Sequence, residues 1–239
     1  MNRMGTLYLI RHGQASFGQA NYDRLSEKGK MQGKMLANHL MDAQTRFDLI
    51  VTGTLTRHFE TEDAFMEVLK KRRIPRPESI RMANFNEYES EKVIAGYIPV
   101  MTAEDPSFQD QVTRMFSSKK AFQEVFETIM QRWVKEEDQI PGLQSWREYK
   151  EGVTAGIRAI MQDHGRGKNV AIFTSGGPIG VVAQMALGLS DQVAIAMTWQ
   201  VVNTSVSRFK CTNDAIMLST FNEHVHLEMN GCENHITYR

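Results

Sequence analysis

The sequence predicts an α/β fold: a three-layer α/β/α sandwich with a mostly parallel sheet and a helical insertion. Three observations predict it. Short β-prone apolar runs alternate with longer stretches of helical periodicity. The runs are apolar on consecutive residues, as in strands buried on both faces. The middle of the chain, from about 91 to 142, keeps a helical stripe and contains no strand-like run.

Taken in order, "TLYLI" (Thr6 to Ile10) reads as a buried strand. "LSEKGKMQGKMLANHLMDA" follows as a helix with Ser26 as N-cap and Met31, Met35, Leu36, Leu40 and Ala43 at roughly helical spacing. "FDLIVT" (Phe47 to Thr52) is a second strand, and "TRHFETEDAFMEVLKKRR" a second helix with Phe65, Val68 and Leu69 on one side. Its terminal Lys70, Lys71, Arg72 and Arg73 suit the negative end of a helix dipole, so they read as a solvated C-terminus. Pro75 and Pro77 then break the chain. Phe122, Val125, Phe126, Ile129, Met130 and Trp133 form one stripe within a cap-like insertion that the pattern suggests covers a site. Tyr149, Val153, Ile157 and Ile160 mark the next helix. "NVAIFT" (Asn169 to Thr174) is a third strand, followed by a glycine turn and the helix "PIGVVAQMALGL". "SVSRFKC" and "AIMLSTF" flank Thr212, Asn213 and Asp214, which predicts a hairpin. The whole is read as one domain over residues 1–239.

Composition limits the function classes. Lys+Arg and Asp+Glu are both 28 in 239 residues, so no polyanion-binding surface is expected, neither for nucleic acid nor for a membrane. A pocket for one phosphate needs only two or three positive groups and remains open. Cys211 and Cys232 have neither metal-ligand spacing nor a disulfide framework, and no run spans a bilayer. The Leu7 to Ile10 run, ended by Arg11, is too short for a signal-peptide core. The expectation is a cytoplasmic protein with no metal and no cofactor.

In open α/β sheets ligands bind at the carboxyl ends of strands. The first strand ends in Arg11, His12 and Gly13; the second leads through Thr52, Gly53 and Thr54 to Arg57; the third ends in Thr174, Ser175, Gly176 and Gly177 at a helix N-terminus. If these strands are neighbours, two guanidinium groups, an imidazole and a helix N-terminus converge. Arginine forks match phosphoryl oxygens, helix N-termini favour anions, and nearby cations keep an imidazole neutral and nucleophilic.

"RHG" after a strand, then "YDRLSEKG", then "VTGTLTRHFETE" resembles the histidine phosphatase superfamily, also called the phosphoglycerate mutase-like family. Arg11, His12 and Gly13 match its signature; Asp23, Leu25, Ser26 and Gly29 match the entry to its first helix; Arg57 and Thr61 match the stretch after its second strand, and Asn203 to Val206 its later strand region. The resemblance covers roughly Thr6 to Glu89 and Asn169 to Leu227. It implies that His12 is the nucleophile, that Arg11 and Arg57 clamp the phosphoryl group, and that Glu87 in "NFNEYESE", with Glu89 as runner-up, is the acid. Gly13, Ser175, Gly176 and His226 are expected to bind substrate.

The match fails at one telling place. The family carries a histidine where this chain has Ser175, and losing one preorganised charged donor commonly costs about 10²–10³ in rate. Gly18 stands where many members have asparagine, and Gly53 and Thr54 where Ser-Pro is usual. His58 is set aside as a substitute because adjacent helical residues point about 100° apart. His39 and His164 read as structural or exposed. The expected function is hydrolysis of a small phosphomonoester through phosphohistidine on His12, at reduced rate. The alternative is a pseudoenzyme that binds phosphate or a phosphorylated protein without turnover; a phosphoglycerate mutase-type transfer is weaker, since nothing in the sequence supplies protection from water. No motif sets the natural substrate or the oligomeric state.

Overall fold

The computed structural model describes residues 4–16, 23–136, 139–229 and 233–238. Strands β1 (Gly5–Arg11), β2 (Leu49–Thr52), β3 (Glu78–Arg81), β4 (Asn169–Thr174), β5 (Val206–Cys211) and β6 (Ile216–Glu223) form one sheet in the order β3-β2-β4-β1-β5-β6. β3, β2, β4 and β1 are parallel, β5 runs against β1, and β6 against β5. Register brings Arg11 level with Thr174, and Thr52 level with Phe173 and Arg81. The carboxyl ends of three strands therefore open at one edge.

Side chains alternate along each strand, and the two faces collect different partners. Leu7, Leu9, Val51, Val170 and Ile172 face one core; Ile10, Ile50, Ala171 and Phe173 face the other. Helices α1 (Glu27–Asp42) and α2 (Thr56–Lys71) cover the second face with Leu36, Leu40, Phe65 and Leu69. The first face is covered by α3 (Ser90–Glu104), α4 (Phe108–Arg114), α5 (Lys119–Lys135), α6 (Trp146–His164), α7 (Gly176–Leu187) and α8 (Asp191–Thr198). The short α9 (Val225–Glu228) follows β6 and packs on α1. This is the three-layer α/β/α arrangement the sequence predicts, with mostly parallel strands.

Local chemistry sets the element ends. Ser26 caps α1 by accepting from the Gly29 N–H. Ser145 and Glu148 form a capping box on α6. Thr212 to Asp214 turn between β5 and β6 as expected. Lys71 pairs with Glu67 and Arg72 with Asp42, so the basic end of α2 is a solvated, paired terminus.

Three readings need correction. The buried stripe of α1 is Gly29, Gln32, Gly33, Leu36, Ala37, Leu40 and Met41, whereas Met31 is 50% exposed. α1 lies close against α2, and small residues permit the approach; counting apolar residues favours methionine over glycine. Gln32 is buried because it has partners: it accepts from the Gln14 N–H and donates to His235 O and Thr237 Oγ1. Second, Glu78–Arg81 is an edge strand that the prolines and polar residues hide. Third, α8, capped by Ser190, carries no periodic signal strong enough to mark it.

The 91–142 segment forms most of α3, with α4 and α5. Val125, Ile129, Met130 and Trp133 are buried in the same core as Leu7 and Val51. Trp133 packs within 5.0 Å of Tyr88, 5.4 Å of Trp146 and 6.4 Å of Tyr149, ring centre to ring centre. Trp133→Ala should therefore destabilise the fold by about 3–5 kcal/mol in urea unfolding.

Candidate active site

β1 ends at Arg11, and His12 follows at the sheet edge, 5% exposed. Its N–H donates to Thr174 O, which extends the β1–β4 pairing by one residue. Behind it, Asn203 Nδ2 and the Thr204 N–H donate to His12 O. Thr204 has φ 59°, a left-handed conformation that costs a β-branched residue about 1–3 kcal/mol. The backbone is held there while the Thr204 N–H reaches both Arg11 O and His12 O.

The ring of His12 is fixed by its two nitrogens. Nδ1 lies 2.7 Å from Gly13 O, which can only accept, so Nδ1 carries the proton. Nε2 accepts from Arg57 Nε at 3.2 Å and is the lone-pair nitrogen. Burial, then the charges of Arg57 and Arg11, hold this imidazole well below the usual histidine range. The result is a neutral imidazole whose lone pair sits on Nε2.

Arg57 sits in the first turn of α2, 9% exposed. Asp23 anchors it: Oδ1 accepts from Arg57 Nη1 at 2.7 Å, and Oδ2 from the Thr56 N–H at 2.7 Å. Thr61, one turn on, accepts from the Gly13 N–H at 3.0 Å and donates to Arg57 O. Arg11 donates to Val201 O, and its charge acts on both His12 and Glu87.

Glu87 meets the N-terminus of α7. Its Oε1 accepts from the Gly177 N–H at 3.0 Å, and the Tyr149 hydroxyl lies 3.5 Å away. The approach needs glycine: a Cβ on Gly177 would stand 2.1 Å from Oε1. Crowding by protein raises the Glu87 carboxyl above the usual range, more than Arg57, the Gly177 N–H and Arg11 lower it. A carboxyl in that state can give a proton. Glu89 is exposed and paired with Lys92, outside the group.

Ser175 is the N-cap residue of α7 and fully buried; Gly176 is the first helical residue. The structure thus brings together Arg11, His12, Arg57, Glu87, Ser175 and Gly176. Gly13 orients His12 through its carbonyl and spends its N–H on Thr61, so it does not present a donor to substrate. His226 is engaged elsewhere. Its Nε2 lies 3.0 Å from Thr204 Oγ1, in the loop behind His12. His39 lies beside it, ring centres 5.9 Å apart.

The correction that matters most concerns His58. Its Nε2 lies 2.8 Å from Ser175 Oγ, its ring centre is 5.8 Å from that of His12, and it is fully buried. Adjacent residues do diverge on a helix, but at this first turn both Arg57 and His58 come close to His12. Gly18 and Cys232 lie outside the described residues; Cys211 is a buried free thiol. Among the described residues no cluster of His, Cys, Asp or Glu is arranged to hold a metal, and no helix is long and apolar enough to cross a membrane.

The family model of the histidine phosphatase superfamily (branch 1) matches residues 7–110 and 114–224. The chain belongs to this superfamily. No curated protein matches it in sequence. Among solved structures, phosphoglycerate mutase from Bacillus anthracis is similar at 16% identity and TM-score 0.63, over 95% of this chain and 96% of that one. Phosphoserine phosphatase from Entamoeba histolytica, in complex with 3-phosphoglyceric acid, is similar at 16% identity and TM-score 0.61, over 94% and 100%. The alpha-ribazole phosphatase from Shigella flexneri is similar at 17% and 0.58, over 92% and 96%. At these identities the likeness is one of fold.

Burial first, then the charges of His39 and His224, lower the pKa of His226 to about 3. The unfolded state, with an ordinary histidine near 6.5, then takes up the proton first. This group's stability is complete above pH about 6.5 and is lost as pH falls from there towards 3, at about 1.4 kcal/mol per pH unit. His12 and His58 act in the same direction. His226→Gln should flatten the slope of stability against pH, measured by urea unfolding between pH 7 and 5, by about that amount.

Proposed function

We propose that the protein is a phosphatase that hydrolyses a small phosphomonoester through a phosphohistidine on His12. One observation carries this: a buried imidazole is held neutral by its setting, with its lone-pair nitrogen turned to a guanidinium donor. Substrate phosphate takes the place beside Arg57 and Arg11, near the N-terminus of α7. His12 Nε2 attacks phosphorus, the P–O ester bond breaks, and Glu87 gives its proton to the leaving oxygen. Water then attacks, Glu87 takes back a proton, and the N–P bond breaks. Binding of inorganic phosphate at the same place follows from the same donors. Titratable groups with opposed shifts suit this division: burial and the neighbouring arginines lower the proton affinity of His12, while burial raises that of Glu87.

The similar structures named for a phosphoserine phosphatase and an alpha-ribazole phosphatase support the hydrolase reading. The cap-like role of the 91–142 segment belongs to this proposal too. It backs the acid through Trp133, Tyr88 and Tyr149, and its outer residues set which ester fits.

Two experiments test the reading. Acid-quench trapping after mixing with a labelled phosphomonoester should yield phosphohistidine, absent in His12→Ala; binding of phosphate without any trapped intermediate would instead make the protein a binding pseudoenzyme. Glu87→Gln should slow hydrolysis of an alkyl phosphate by about 10²–10⁴ but p-nitrophenyl phosphate much less, because p-nitrophenolate leaves without a proton. Equal losses on both substrates would remove Glu87 from the acid role.

A further inference from the structure

A serine at an N-cap ordinarily accepts from the N–H of the second or third helical residue. Ser175 has neither. Gly177 donates its N–H to Glu87, and Pro178 has no N–H. Its side chain makes no cap bond and meets His58 Nε2 instead. His58 reaches that point because position 53 is glycine: a Cβ there would stand 2.2 Å from His58 Nδ1. Gly53, His58 and Ser175 are therefore one packed unit.

The direction of the His58–Ser175 bond follows from the other ring nitrogen. Nδ1 is buried and has no partner among the described residues. A buried unpaired N–H is rarer than a buried unpaired acceptor, which places the proton on Nε2. His58 then donates, Ser175 Oγ accepts, and the Ser175 O–H must point elsewhere. The His12 ring centre lies 5.8 Å from that of His58, the ring that Ser175 meets.

We propose that His58 is a positioning residue for phosphoryl binding: its Nε2–H fixes the Ser175 hydroxyl so that the hydroxyl donates to a phosphoryl oxygen held over His12. This rests on reading the site as one that binds a phosphoryl group. A hydroxyl already accepting a hydrogen bond is polarised into a better donor, and it has less rotational freedom to lose on binding. The unit returns a directed donor to the pocket, though not a charge: His58 stays neutral through burial and the neighbouring Arg57.

The test is the affinity for vanadate, measured by calorimetry, in His58→Leu, His58→Gln, Ser175→Ala and the His58→Leu/Ser175→Ala double variant. Leucine fills the space without a donor; glutamine keeps an N–H. His58→Leu and Ser175→Ala should each weaken binding about tenfold or more, the double variant no more than Ser175→Ala alone, and His58→Gln should recover most of the loss. Wild-type affinity in His58→Leu, additive losses, or glutamine no better than leucine would overturn the proposal. Imidazole ¹⁵N shifts of the unmodified protein give a second readout that needs no variant: a proton on Nδ1 of His58 would overturn it. A wild-type chain that binds vanadate but turns nothing over would end the phosphatase reading alone, and the affinity ranking would still decide this one. No vanadate binding at all would overturn both.

Discussion

The site depends on one constraint: the His12 ring must be uncharged, with its proton on the nitrogen facing the protein. The Gly13 carbonyl meets that nitrogen, and Arg57 meets the other. Neither partner would matter if the ring could turn. It is prevented by the strand that delivers it, since His12 continues the β1–β4 pairing, and by the Asn203–Thr204 loop that holds its carbonyl from behind. The strained Thr204 is intelligible in this light. A left-handed residue lets one backbone N–H serve two successive carbonyls at the end of β1, and the buried His226 braces its hydroxyl.

Around that ring the charges are set by second partners. Asp23 holds Arg57 by two bonds, one to the guanidinium and one to the start of its helix, so that the fork and the helix move as one. Glu87 is treated in the opposite way. Burial raises its proton affinity, with the Tyr149 hydroxyl 3.5 Å away and Tyr88, next to it in the chain, in one packed group with Tyr149, Trp133 and Trp146, while a helix N-terminus and two arginines limit the rise. Of these rings Trp133 belongs to the helical segment 91–142, and the other three pack against it. The segment is thus coupled to the carboxyl by packing.

Gly53, His58 and Ser175 make sense only together. A serine alone at position 175 would leave a hole and a weak donor. Next to Gly53, which opens space, and His58, which enters it, the same serine belongs to a filled and bonded group.

The sequence by itself determined the layers and the strand ends. Apolar runs, a serine cap and glycine turns are local signals, and local physics carried them into β1, β2, β4, α1, α2, α6 and α7. Strand ends pointed to Arg11, His12 and Arg57 as candidates, and the family resemblance added Glu87; the fold brings these four side chains together. Tertiary structure decided what periodicity cannot express. An edge strand as polar as Glu78–Arg81 exists only because β2 offers it hydrogen bonds. The buried face of α1 is the one with the least bulk, since α2 lies so close. The Gly13 N–H and His226 Nε2, both expected to meet substrate, are paired within the chain with Thr61 and Thr204. His58 was set aside by an angle measured at the backbone. Where a side chain ends depends on the space its neighbours leave, and that space is a property of three segments meeting, not of any one of them.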